Sequence, residues 1–290
     1  MGSREMIAPL QKDDLLIEDM VGVEGAEDCF HVWWLGQSGF LLKWNGHFLL
    51  FDPYLSDSLT RKYEGTDKPH VRMSELVVDP SRLGFVKSVT SSHNHTDHLD
   101  RETLCAISDA SGGISLILPE ANIEFAKERL TGGLIDYVGI NETTVTKPKP
   151  WSIEGIAAAH NEVERDTQGR CLYLGFCVSF GGFRVYHSGD TLWHDALLDQ
   201  LRGSSPDLAL LPINGNKPER KVAGNLNGKE AAELAHAIGA RVVIPCHYDM
   251  FTFNTEKPDE FVSSCERLGQ AYKVMEGGER VTIHSSKAIS

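Results

Sequence analysis

Short apolar runs recur along the chain and predict many short strands. The first three are predicted at 32–35, 40–44 and 47–51. The last two flank Asn45-Gly46, the dipeptide most favoured in two-residue hairpin turns. Further strands are predicted at 85–90, 114–118, 134–138, 153–159, 172–180, 183–186, 208–211 and 241–245.

Capping signals mark helices between these strands. Asp100 is a suitable N-cap for a helix through 102–107. Residues 227–230 read NGKE, the form of a capping box, and open a helix that ends at Gly239. Other helices are predicted from Pro119 to Gly132, from 193 to 201 and from 258 to 268, and two short strands finish the chain. Residues 54–82 are polar and irregular, a loop long enough to reach over a site.

These elements predict a fold of the α+β class in a single domain. Apolar strands with helices between and after them favour two facing mixed sheets with helices outside, because each sheet must bury its apolar faces. We place the domain at 30–285, between an N-terminal arm at 1–29 and a C-terminal tail at 286–290. No internal repeat and no linker-like composition divides it.

The composition narrows the classes of partner. The formal net charge is −13, which argues against a protein that coats nucleic acid or an anionic membrane but is compatible with a small anionic substrate. No apolar run has the length of a signal peptide core or a membrane span. The six cysteines form no C-x-x-C pair and are typical of reduced core residues. We therefore expect a cytoplasmic protein.

One stretch carries the strongest chemical signal in the chain. Residues 91–100 read SSHNHTDHLD, so His93, His95, Asp97 and His98 fall within six positions between a predicted strand and a predicted helix. Imidazole nitrogen and carboxylate oxygen suit Zn²⁺, Mn²⁺ or Fe²⁺. The alternative is a polar turn that happens to be rich in histidine, but four ligand types at this spacing favour a metal site.

Three later residues complete a candidate site for two metals. His160, Asp190 and His247 each follow a predicted strand. Each is weak evidence alone, because a histidine at a strand end more often has a structural role. Together with the motif they form two half-sites, with Asp190 as the bridge that offsets repulsion between two cations. The half-sites are His93, His95 and His160 for one metal and Asp97, His98 and His247 for the other.

Two further residues are expected beside the metals without binding them. His187 competes for a ligand role, but the Gly-Asp pair after it better matches a bridging carboxylate on a turn. We therefore predict that His187 supports a ligand or belongs to the core. Asp52 follows a predicted strand, and we expect it to orient a ligand histidine.

The order of these residues resembles the metallo-β-lactamase superfamily, whose signature is His-x-His-x-Asp-His followed by a histidine, an aspartate and a histidine. This chain fills all seven positions, and the resemblance implies an αββα sandwich. Within the superfamily it looks most like the L-ascorbate-6-phosphate lactonase family, through the segments 33–36 (WWLG), 186–190 (YHSGD), 225–227 (NLN) and 245–249 (PCHYD). One position departs, since those lactonases need not carry a histidine where this chain has His160. A full dinuclear site would then mean different metal use or a different substrate.

The resemblance implies a function and a cofactor. We expect a cytoplasmic, homo-oligomeric hydrolase with two divalent ions, Mn²⁺ or Zn²⁺ with Fe²⁺ as a further candidate. It would open a lactone of a small phosphorylated sugar acid with a metal-bound hydroxide as nucleophile. Asp97 or Asp190 would move the proton. On the loop 214–221, the amide of Asn214 and the cations Lys217 and Arg220 are candidates for holding an anionic substrate, and a merely solvated loop is the alternative.

Other functions stay open at this point. The motif at 93–100 also resembles that of N-acyl-phosphatidylethanolamine phospholipase D, so a metal-dependent phosphodiesterase is the main alternative. A non-catalytic metal-binding protein would be expected to have lost ligands, and none is lost here. A di-iron redox protein normally pairs this domain with an electron carrier, for which this chain shows no second domain.

Overall fold

Two facing β-sheets with helices on their outer surfaces form the core of the chain, as predicted. The computed structural model describes residues 6–285. The predicted tail at 286–290 and the first five residues of the predicted arm lie outside the described residues. Within the arm, the helix α1 (Asp13–Gly22) packs on the domain through Leu16 and Met20.

The remaining helices and the strands follow the predicted order closely. The other helices are α2 (Ser58–Lys62), α3 (Arg101–Ser111), α4 (Ile123–Arg129), α5 (Asp195–Leu201), α6 (Gly228–Ala237) and α7 (Asp259–Leu268). The strands are β1 (Cys29–Gly36), β2 (Gly39–Trp44), β3 (His47–Phe51), β4 (Ser88–Thr90), β5 (Ile114–Pro119), β6 (Ile135–Ile140), β7 (Val145–Thr146), β8 (Ser152–Ala157), β9 (Leu174–Phe180), β10 (Phe183–His187), β11 (Leu208–Pro212), β12 (Val243–Cys246) and β13 (Arg280–His284).

The strands form one sheet of seven and one of six. Their orders are β13-β1-β2-β3-β4-β5-β6 and β12-β11-β10-β9-β8-β7. The predicted hairpin is confirmed, because Trp44 pairs with His47 and the two turn residues between them have positive φ. The predicted capping box is also present, with the Glu230 N–H donating to Asn227 Oδ1 at 2.9 Å.

Strand β1 shows why the first strands read as continuous apolar runs. Its residues are buried on both faces, so no polar alternation is needed. Val32 and Trp34 point into the core between the sheets. Trp33 and Leu35 point outwards to a second core, which includes residues of α1, α3 and α4. The helices therefore cover the seven-stranded sheet as the αββα arrangement requires.

Several details differ from the predictions. Strand β7 was not predicted, and the helix predicted from Pro119 is a 3₁₀ turn at 120–122 followed by α4. Strand β4 begins at Ser88, because Val86 N–H bonds to the Leu83 carbonyl in a turn. The loop 54–82 contains α2 and a short 3₁₀ turn near its end. Only one of the two predicted final strands forms, since Tyr272 makes an isolated bridge to Val243. None of the helices within residues 6–285 is a candidate for a transmembrane segment.

Candidate metal centre

The loop between β4 and α3 carries the first four candidate ligands, and both of its ends are held. Asp100 caps α3 as predicted, accepting the Thr103 N–H at 3.0 Å. Arg129 Nη1 donates to the Asn94 carbonyl at 2.6 Å and to the Leu99 carbonyl at 3.3 Å. This guanidinium therefore connects two points of the loop that enclose His95, Asp97 and His98.

The other three candidate ligands come from the second sheet. His160 follows β8, Asp190 follows β10 and His247 follows β12. His160 Nδ1–H donates to the Gly224 carbonyl at 2.9 Å, which leaves Nε2 directed at Asp190 Oδ2, 3.5 Å away. The site therefore lies at the seam between the two sheets, and each sheet supplies part of it.

The seven side chains converge on one site, and two of the three groups that they form are the half-sites expected from the sequence. Within each of three groups, the ligand atoms lie within 4.8 Å of one another. Besides His160, Asp190 faces two more histidines, with distances of 3.4 Å to His98 Nε2 and 3.5 Å to His247 Nε2. Two atoms bound to one tetrahedral metal at about 2.1 Å lie about 3.4 Å apart, so these spacings suit coordination. The groups are His93, His95 and His160; His93, His98 and Asp190; and Asp97, His98 and His247.

The hydrogen bonding also fits a cation. His93 Nε2, His98 Nε2 and Asp190 Oδ1 are buried without a hydrogen-bond partner in the structure. Such atoms are rare in folded proteins, since an unpaired buried polar group is costly. A divalent cation would satisfy all three, so the donor set fits the metal that the sequence predicts. The number and identity of the ions stay a prediction.

Asp52 makes the contact with a ligand histidine that the sequence analysis expected. It is fully buried, and His98 Nδ1–H donates to its Oδ2 at 2.7 Å. Ser92 N–H and the Thr90 hydroxyl each donate to Oδ1 at 3.0 Å. Burial opposes ionisation, but the hydrogen bond from His98 and nearby charge outweigh it and lower the pKa of Asp52. The carboxylate thereby directs His98 Nε2 towards the site.

His187 belongs to the core rather than to the ligand set. Its Nε2–H donates to the Ser38 carbonyl at 3.0 Å, and its ring stacks on Phe51 with centroids 5.0 Å apart. It is absent from the three groups of candidate ligands. This placement agrees with the prediction that His187 supports a ligand or belongs to the core.

The electrostatics keep most of the imidazoles ready to bind metal. Burial, together with neighbouring histidines, lowers the pKa of His93 well below its usual range and that of His95 to about 4. His98 behaves differently: burial opposes its protonation, but the carboxylates of Asp190 and Asp97 raise its pKa well above the usual range. A metal that binds His98 must therefore displace a proton from it.

Gln37 is a site residue to which the sequence analysis assigned no chemistry. It is buried in the turn between β1 and β2, and its Nε2 lies 2.8 Å from Asp97 Oδ2 and 3.0 Å from His247 Nε2. Gln37, Asp52 and His247 all have positive φ (50°, 38° and 66°), a conformation unusual for residues other than glycine. The backbone itself therefore aims several side chains at the site, which no spacing rule reveals.

A cavity of about 290 Å³ opens over the candidate ligands. Its floor includes His95, Asp97, His160, Asp190 and His247, and its wall includes the aromatic rings of Tyr63, Phe251 and Phe253. Lys62, Lys68 and Lys221 also line it. Its position makes it the candidate substrate pocket.

The candidate substrate residues 214, 217 and 220 are not brought to this lining. Asn214 is fully buried, and its amide donates to Asn254 Oδ1 at 3.1 Å. Lys217 and Arg220 both pair with Glu256. Of the cations on this loop, Lys221 lines the cavity, whereas Lys217 and Arg220 do not. Their role in substrate binding stays a prediction.

Comparison with known proteins adds relatives of the same architecture. Residues 31–247 match the family model described as the beta-lactamase superfamily domain. The chain is 30% identical to a UPF0173 metal-dependent hydrolase of Methanopyrus kandleri over 255 residues, 85% of this chain and 96% of the relative. It is 29% identical to one of Rubrobacter xylanophilus, over 86% of this chain and 94% of the relative.

A solved structure shows the same fold at lower identity. The isothiocyanate hydrolase from Delia radicum gut bacteria superposes with a TM-score of 0.69 at 16% identity, over 88% of this chain and all of that one. The family model spans all seven candidate ligands. This chain therefore belongs to the metallo-β-lactamase superfamily and, within it, to the UPF0173 metal-dependent hydrolases.

Proposed function

We propose that this metal-dependent hydrolase opens the lactone ring of a small, phosphorylated sugar acid. The observation that carries the proposal is the position of Asp190 between the two sets of candidate ligands, directly beneath a cavity of about 290 Å³. A bridging carboxylate suits a pair of divalent ions, and the cavity suits a small substrate. The likeness of four sequence segments to the ascorbate-6-phosphate lactonases supports the choice of a lactone.

The chemistry divides between the metals and the side chains. Bound divalent ions would supply an activated water and polarise the carbonyl oxygen of the lactone. Asp97 lies at the cavity floor and accepts a hydrogen bond from Gln37. We assign to it the transfer of the proton from the attacking water to the ring oxygen. One water is consumed, the ring C–O bond breaks, and a carboxylic acid and an alcohol result.

The test is turnover of L-ascorbate 6-phosphate by purified protein loaded with Mn²⁺. We expect ring opening that Asp190→Ala abolishes, because that variant removes the shared carboxylate. Asp109→Ala is the matched control, since Asp109 lies exposed on α3. Thermal melts would verify that both variants are folded. If the wild type opened no lactone while binding metal tightly, the proposed substrate class would be wrong.

A phosphodiester is the second candidate substrate. Two ligand sets about a shared carboxylate also suit the oxygens of a phosphoryl group. Bis(p-nitrophenyl) phosphate, assayed in parallel, tests this candidate. Turnover of this compound alone would assign the protein to the phosphodiesterases instead.

A further inference from the structure

Three lysines stand at the cavity, although the chain as a whole is acidic. Lys62 ends α2, Lys68 follows it in the same loop, and Lys221 comes from the loop after β11. The carboxylates that line the same cavity are Asp97 and Asp190, both candidate metal ligands. With cations bound to those carboxylates, the charge left in the cavity is positive. The cavity therefore attracts anions in a chain of net charge −13.

The ammonium groups have donors to spare. Each carries three N–H donors, and Lys62 Nζ uses one on the Thr96 hydroxyl, 3.0 Å away. Between residues 6 and 285, neither Lys62 nor Lys68 has a carboxylate oxygen within 4.0 Å, and the nearest carboxylate to Lys221 is Asp67 at 4.0 Å. Thr96 lies between two candidate ligands in the metal motif, so Lys62 stands beside the metal loop.

The two loops that carry these lysines are joined to each other. Lys68 Nζ donates to the Lys221 carbonyl. Lys221 adopts a left-handed conformation, with φ of 52°, directly after the 3₁₀ turn that holds Arg220 against Glu256. Lys221 therefore lines the cavity, whereas Lys217 and Arg220 pair with Glu256 outside its lining.

We propose that Lys62, Lys68 and Lys221 form an anion subsite that holds a phosphate group of the substrate at the cavity mouth. The proposal rests on the proposed function, because it places the reacting bond of the same molecule over the candidate metal ligands. Lysine binds phosphate as a point charge, and three ammonium groups can donate to different oxygens of one phosphate. No arginine is among the cavity-lining residues that the structure describes.

The first experiment compares lysine variants in the turnover of L-ascorbate 6-phosphate. Lys62→Ala and Lys221→Ala should each raise KM about tenfold with little change in kcat, since each removes a charge-assisted hydrogen bond remote from the reacting bond. Lys62→Arg should recover part of the loss. Lys127→Ala is the control, because Lys127 is exposed and pairs with Glu124 on α4. An unchanged KM in both cavity variants would overturn the proposal.

Lys217→Ala distinguishes a phosphate site formed by Lys217 or Arg220 from one formed by the three cavity lysines. The sequence-based hypothesis expects this variant to raise KM, whereas the structure pairs Lys217 with Glu256 outside the cavity lining. A rise in KM for Lys217→Ala alone, with the cavity variants unaffected, would refute the subsite.

The second experiment remains informative if no lactone is opened. Binding of inorganic phosphate to the metal-loaded protein is measured by calorimetry, in the wild type and in the variant K62A/K68A/K221A. Phosphate that reached only the metals would bind both proteins equally, and this result would overturn the subsite whatever the substrate is. We expect at least tenfold weaker binding in the triple variant, with a smaller dependence on salt because fewer charges contribute.

Discussion

Asp52→Asn should weaken metal binding through the tautomer of His98. In the wild type, the Asp52 carboxylate accepts Nδ1–H, so Nε2 is the nitrogen that gives up its proton and binds the metal. The variant has an amide that must still accept from Ser92 N–H and Thr90, so its NH₂ group faces Nδ1. An amide donor at that position favours the tautomer protonated at Nε2, the ligand atom itself. If the amide rotated by 180°, its oxygen would again accept from His98 Nδ1–H, but its NH₂ group would then face the Ser92 N–H, so that two donors would oppose each other.

The expected loss of metal affinity follows from what a hydrogen-bond partner of a ligand histidine contributes in known metal sites. Metal affinity should fall about 10- to 100-fold, or about 1.4–2.8 kcal/mol, at the ion that His98 binds. Titration of metal-free protein with Zn²⁺ and Mn²⁺ by calorimetry measures the affinity and the number of ions. Asp109→Asn, exposed on α3, is the matched control. If Asp52→Asn bound metal as tightly as the wild type, the tautomer argument would be refuted.

Three further predictions concern proton release and folding. Because Asp190 and Asp97 raise the pKa of His98 despite its burial, metal binding at pH 7.5 should release about one proton per chain, and metal affinity should fall as the pH is lowered. Calorimetry in buffers of different ionisation enthalpy measures the proton release, and heats independent of the buffer would contradict it. Lys43→Met should lower the free energy of unfolding by about 2–3 kcal/mol, because buried Lys43 Nζ donates to three carbonyls at the end of α1, each at 2.9 Å. Urea unfolding, with the exposed Lys127→Met as the control, measures this loss, and equal losses in both variants would argue against a capping role for Lys43. Asn227→Ala should lower the free energy of unfolding by about 1 kcal/mol through loss of the α6 cap. Urea unfolding beside Lys229→Ala, on the same helix, tests this, and an unchanged unfolding midpoint would show that the cap contributes nothing.

The candidate ligands could be predicted from sequence because their signals are local. His93, His95, Asp97 and His98 lie on one short loop, and the other three each follow an apolar strand. A strand end is recognisable from residue types alone, and the order of the residues supplies the rest. The capping residues Asp100 and Asn227 were predictable for the same reason, since each acts within its own helix turn.

The cavity wall could not be predicted, because it depends on contacts between distant loops. Lys62 and Lys221 approach the same cavity from loops that are more than 150 residues apart. Within the loop 214–221, Lys217 and Arg220 pair with Glu256, a residue more than 30 positions further along the chain, and Lys221 is left to line the cavity. Gln37 was missed because its role depends on contacts with Asp97 and His247, which its own turn does not reveal.

The seam position of the candidate metal centre links metal supply to the lifetime of the protein. Four candidate ligands follow a strand of one sheet and three follow strands of the other, so bound metal would connect the two sheets at this end of the domain. Ligand binding to the native state adds about 4 kcal/mol of stability when free metal exceeds Kd by about 1,000-fold. Chelation should therefore let this end open locally and expose the loops to proteases, which limited proteolysis with and without EDTA would detect as earlier cleavage. Protein without metal would then be degraded faster by proteases, in addition to being inactive.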